Sequence, residues 1–183
     1  MTRKEAIRIV DELVKSENIR KHLIACEAVM RALAEKFEPE KSDDWGLVGL
    51  LHDADYEATN KSVEQHTELV TEKLKEISAP QEIIDAVRGH ADKVQRSTLM
   101  AKAIYAADEL TGLIVAATLV RPDKKLASLT VESVLKRFRE PAFARGANRD
   151  MIATCENELD LPLLEFVNIC LTAMQKINNQ LGL

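Results

Sequence analysis

Aromatic residues make up only 4% of this chain of 183 residues, and it holds six glycines and five prolines. With few β-branched alternations and few glycine-containing hairpin signals, a strand-rich fold has little to build on, and helix is the natural reading. Long apolar runs are also missing. No stretch approaches the roughly 20 uninterrupted apolar residues of a membrane span. The N-terminal MTRKEAIRIVDELV carries Glu5, Asp11 and Glu12 and is followed by no apolar segment with a cleavage site, so no signal peptide is expected. Lys and Arg form no continuous stripe and the net charge is only −5, which disfavours a nucleic acid polymer as partner. Cysteines number three, Cys26, Cys155 and Cys170, widely separated and within helical patterns. They are expected to be reduced core residues of a cytoplasmic protein.

What is present is ordinary globular balance, 46% apolar and 30% charged, at a length that suits one domain over residues 1–183. The spacing of apolar residues predicts helices near 2–15, 18–37, 43–53, 62–77, 80–90, 98–120, 130–139, 148–159 and 162–181. Ser62 before VEQH and Thr130 before VE read as N-caps, and Pro80 with Glu82 reads as a first turn. The stretch RPDKKLASLT, 121–130, is the best candidate for a connection between a helical core and a C-terminal helical part.

Titratable residues on apolar stripes carry the chemistry, because an uncompensated charge there is costly. Ile19, His22, Cys26, Val29 and Leu33 share one face, and Ile83, Val87 and His90 share another. Val63, His66 and Val70 are expected to align likewise. WGLVGLLHD is apolar all round until His52 and Asp53, and Asp108 falls on the stripe Ile104, Asp108, Thr111, Val115. A single such histidine is most often a hydrogen-bonded core residue. Here all four histidines of the chain interrupt apolar faces, together with two aspartates. Imidazole and carboxylate suit Mn, Fe, Ni or Zn, and the shortage of nearby thiols argues against a structural zinc-thiolate site.

The order His22, His52-Asp53, His66, His90, Asp108 resembles the HD superfamily of metal-dependent phosphohydrolases. LVGLLHDAD is similar to that family's apolar helix ending in the doublet, and IYAADELTGLI to its distal helix. The resemblance covers about residues 18–120 and implies an all-α, compact multi-helix bundle in which 121–183 adds C-terminal helices. It also implies two divalent transition metal ions, the first held by His22, His52, Asp53 and Asp108 and the second by Asp53, His66 and His90. The implied chemistry is cleavage of a phosphoester or phosphoanhydride by a metal-activated water. Two departures stand out. Ala54-Asp55 follows the doublet where some members have glycine, and Tyr56 stands where others have an acid.

A phosphate substrate should also meet cations. Arg145 and Arg149, four apart in FARGANR, and Lys61 after the doublet are the candidates, weighed against plain surface charge. Beside Asp53, the acids Asp55 and Glu57 are read either as catalytic support or as loop acids, and no general base is assigned. The apolar positions Leu163, Leu164, Val167, Leu171 and Met174 fit a core or a homodimer face. Three readings are carried forward: an enzyme acting on a nucleotide or other small phosphorylated metabolite, a non-catalytic nucleotide sensor, and a helical interaction protein with structural histidines.

Overall fold

A computed structural model describes residues 1–183 and contains helices and no strands. The α-helices are α1 (Arg3–Leu13), α2 (Glu17–Phe37), α3 (Ser42–Leu51), α4 (Glu68–Glu76), α5 (Gln81–His90), α6 (Leu99–Leu119), α7 (Val131–Phe138), α8 (Arg149–Glu158), α9 (Leu163–Lys176) and α10 (Asn178–Leu181). Single 3-10 turns precede α3 and α7. No helix is long and apolar enough to cross a membrane. The buried apolar residues form one cluster running from Ala6 to Leu181, with Trp45 and Phe166 its largest enclosed side chains. The three cysteines are buried and unpaired.

Local chemistry sets most boundaries. Thr2 caps α1 in a reciprocal box with Glu5, Ser16 accepts from the Ile19 amide at the start of α2, and Thr98 and Thr130 do the same for α6 and α7. Two 21-residue helices, α2 and α6, pack against each other, and α3 lies along α2. That last contact is unusually close because of Gly49. A methyl group there would sit 2.5 Å from the carbonyl oxygen of Cys26, so only hydrogen lets the two backbones approach.

Two expected elements differ. The helix expected from 62 begins at Glu68, and Ser62 instead closes a turn by accepting from the Gln65 amide. Residues 52–67 form successive turns, with Asn60, Lys61 and Thr67 at positive φ, and Val63 is 81% exposed rather than part of a buried stripe. The last helix is broken at Ile177 into α9 and α10. Within α9, Val167, Leu171 and Met174 enter the core while Leu164 faces solvent.

Candidate metal centre

Five parts of the chain meet at one point: α2 brings His22, the end of α3 brings His52 and Asp53, the turns after it bring His66, α5 brings His90 and α6 brings Asp108. His52, His66 and His90 are buried, and Asp53 and Asp108 are nearly so.

The side-chain atoms fall into two groups. In the first, His22 Nε2 lies 3.2 Å from His52 Nε2 and 3.0 Å from Asp108 Oδ1, and His52 Nε2 is 3.4 Å from that same oxygen. In the second, Asp53 Oδ1 lies 3.1 Å from His66 Nε2 and 3.2 Å from His90 Nε2, with the two nitrogens 3.0 Å apart. Asp53 joins the groups, since its other oxygen is 3.8 Å from His22 Nε2.

Which nitrogen carries the proton follows from what stands behind each ring. His52 Nδ1 donates to the Gly49 carbonyl and His90 Nδ1 to the Val87 carbonyl, neither of which can be anything but an acceptor. Behind His66 is Asp55, a fully buried carboxylate that takes the Nδ1 proton at 2.9 Å and also accepts the Thr67 and Val70 amides. Behind His22 is Thr111, whose hydroxyl proton goes to the Asp108 carbonyl, so its oxygen accepts from His22 Nδ1 at 3.2 Å. All four Nε2 lone pairs are therefore turned inward, at each other and at two carboxylates.

Such an arrangement is repulsive unless a proton or a cation lies among the acceptors. Ligands about 2.1 Å from a metal stand about 3.0 Å apart at right angles and about 3.4 Å apart at the tetrahedral angle. Both groups match that spacing, so the residues fit a metal as they stand. Without a metal, protons fill the role. Burial works against the charge of His66, but hydrogen bonds to Asp53 and Asp55 outweigh it and raise its pKa to about 9. His22 is raised in the same way, burial being overcome by Cys26 and Asp108. Asp53 and Asp108 stay ionised far below the usual carboxylate range: burial is outweighed by His52, His66 and His90 around the first and by His22 and His52 around the second.

The cluster forms the floor of a cavity of about 470 Å³, whose walls include Tyr56, Glu109, Gly112, Met151 and the loop residues Ala144, Gly146 and Ala147. Glu109 accepts the Asn148 amide at 2.9 Å, and burial raises its pKa. Glu109, Gly112, Met151, Ala144 and Ala147 escaped the sequence reading, although Glu109 adjoins Asp108, and Tyr56 entered it only as standing where an acid was sought. Cys26 was seen only as core. Its sulfur is 3.9 and 3.8 Å from the two nitrogens of His22, so it lies along neither lone pair.

Other expected site residues lie elsewhere. Asp55 stands behind His66 rather than in the cavity. Glu57 turns away and accepts the Lys15 and Ser16 amides at the start of α2. Lys61 lines a different surface depression, with its ammonium 5.9 Å from the Tyr56 ring centre. Arg149 does not face the cavity either: its guanidinium donates to the carbonyls of Phe143, Ala144 and Ala147 and so shapes the loop above the cluster. Arg145 does not share a helix with it, because α8 starts only at Arg149; it is exposed between Ala144 and Gly146.

Comparison with known proteins supplies one match. The model of the HD domain family matches residues 19–113, which takes in His22, both members of the doublet, His66, His90 and Asp108. Curated proteins and solved structures give no significant match.

Proposed function

Because this chain belongs to the HD domain family, we infer that it is a metal-dependent phosphohydrolase cleaving a phosphoester or phosphoanhydride of a nucleotide or other small phosphorylated metabolite. The observation that carries the reading is the convergence of four imidazole lone pairs and two carboxylates, at ligand spacing, on the floor of an open cavity. His22, His52, Asp108 and the outer oxygen of Asp53 would hold one divalent ion, and His66, His90 and the inner oxygen of Asp53 a second, with Mn, Fe, Ni and Zn suited to these donors. Bound there, the ions supply Lewis acidity that makes water nucleophilic near neutral pH and offsets phosphate charge.

The rest is positioning by the chain itself. Gly49, Thr111, Val87 and Asp55 fix the imidazole planes through Nδ1, so no ring has to reorient when a ligand arrives. The loop shaped by Arg149 forms one wall.

The test is to reconstitute the purified protein with each of the four metals, count bound ions, and follow hydrolysis of p-nitrophenyl phosphate and a nucleotide set before and after chelation. One to two equivalents of metal and chelator-sensitive turnover are expected, with turnover falling at least about a hundredfold in Asp53→Ala. Failure to take up any of the metals overturns the proposal. Tight nucleotide binding without turnover would instead favour a sensor.

A further inference from the structure

The cavity wall has a charge pattern that bears on the substrate. None of its lining residues is Lys or Arg, although a site for phosphate would ordinarily recruit them. Of the nearby cations, Arg149 is engaged on backbone carbonyls, Arg88 on Glu68 and Lys93 on the Glu64 carbonyl, while Arg145, between the lining residues Ala144 and Gly146, is exposed and is not itself part of the wall. What the wall does contain is a third carboxylate, Glu109, beyond the two of the cluster. Its Oε2 accepts the Asn148 amide, and it makes no other hydrogen bond within the protein.

Counting charge on the two-ion reading, the ions less Asp53 and Asp108 leave a double positive charge, which one phosphate dianion neutralises. Glu109 is then surplus. A second phosphate or a carboxylate on the substrate would meet it in a partly desolvated cavity with no cation among the lining residues, whereas an N–H or ammonium group would give it the partner it lacks. Tyr56 and Met151 supply apolar surface for the carbon skeleton between.

We propose that Glu109 is a specificity-determining residue that accepts a hydrogen bond from a nitrogen on the alcohol part of the substrate, and that the substrate is a phosphomonoester with a cationic or N–H-bearing leaving group. The inference rests on the phosphohydrolase reading and deepens it. It places polyphosphates and phosphorylated carboxylic acids among the poor substrates.

The experiment compares four monoesters of similar size on the Mn-loaded protein: 2-aminoethyl phosphate, 2-hydroxyethyl phosphate, ethyl phosphate and phosphoglycolate. p-Nitrophenyl phosphate, which carries neither a charge nor a donor in its leaving group, serves as the control. The expected order of kcat/KM, each value taken relative to that ester's own uncatalysed hydrolysis, is amino, hydroxyl, ethyl, carboxylate. The amino compound should exceed the ethyl one by roughly ten- to a hundredfold, the range expected when a half-buried carboxylate gains or lacks a charged donor. Glu109→Gln, which retains an oxygen for the Asn148 amide, should reduce that ratio towards one. Glu109→Lys should favour phosphoglycolate. A merely structural glutamate would lower all five rates together. Turnover of the control without the order, or an order unchanged in Glu109→Gln, overturns this inference and leaves the phosphohydrolase reading intact. No turnover of any ester, the control included, overturns this inference, and the phosphohydrolase reading falls with it when the nucleotide set is not hydrolysed either.

Discussion

Asp55 illustrates how one atom behind a ligand can decide what the ligand does. Its oxygen takes the Nδ1 proton of His66. Asn has one oxygen where Asp55 uses Oδ1 for both His66 and the Thr67 amide and Oδ2 for the Val70 amide, so its NH2 group must face either the Val70 amide or His66 with Thr67, and in both cases His66 loses its anionic partner. Asp55→Asn is therefore expected to weaken the second ion by about 10- to 100-fold and spare the first, a difference that metal counting on the folded variant would resolve. The same residues set a pH response in the metal-free protein. The imidazole of His66 is raised from an ordinary 6.5 to about 9, so its stabilising contribution is complete below 6.5 and disappears as pH rises through about 9. The chelated protein should lose thermal stability across that window, and the loaded protein, whose ions compete better as protons leave, should not. Of the residues in the cluster, His22, His90 and Asp108 are legible in the sequence because each interrupts a real helical stripe. His66 belongs to no such stripe. Its inward direction comes from Asp55 and the surrounding turns, which periodicity cannot report. The contacts of Arg149, Glu57 and Lys61 depend on where loops fold back, and residue type alone does not carry that.

At the scale of elements, two glycines should answer the same substitution with opposite signs. Gly49→Ala would drive a methyl into the Cys26 carbonyl and separate α3 from α2, at a cost of about 1–3 kcal/mol. Gly112 lies within α6 facing the cavity, and a methyl there meets nothing within 4 Å. Gly112→Ala should stabilise the helix by about 0.5–1 kcal/mol, because alanine loses less backbone entropy on folding. Equilibrium denaturation of both variants checks the pair. Helix existence is readable because the periodic segments are long, and Thr130, read as a cap from the sequence, caps α7 in the structure. The stretch 62–67 misleads because Val63, His66 and Val70 have helical spacing by coincidence. The backbone instead turns, and enters α4 through a left-handed conformation at Thr67, a residue type that does not announce it.

Across the whole molecule, the candidate ligands come from α2, the end of α3, the following turns, α5 and α6, and any ion they hold ties these parts together. A ligand at a thousand times its dissociation constant adds about 4 kcal/mol to the folded state, which for a chain of this length corresponds to roughly 8–16 °C in melting temperature. Chelation should lower the midpoint by that order, and restoring metal should reverse it, as calorimetry would report. The all-helical architecture could be anticipated from composition and periodicity. A part for the C-terminal region in the site could be expected from FARGANR, but not the manner of it, since the loop over residues 139–148 reaches the cavity through the packing of α8 on α6 and the anchorage of Arg149.

Asp53 faces one group with each of its carboxylate oxygens. On the two-ion reading both ions draw on the single negative charge of this carboxylate and repel each other across it, so the occupancies are thermodynamically linked and each ion lowers the affinity of its neighbour by the same factor. Titrated with metal, the two places would then fill in separate steps, with a singly loaded form between them.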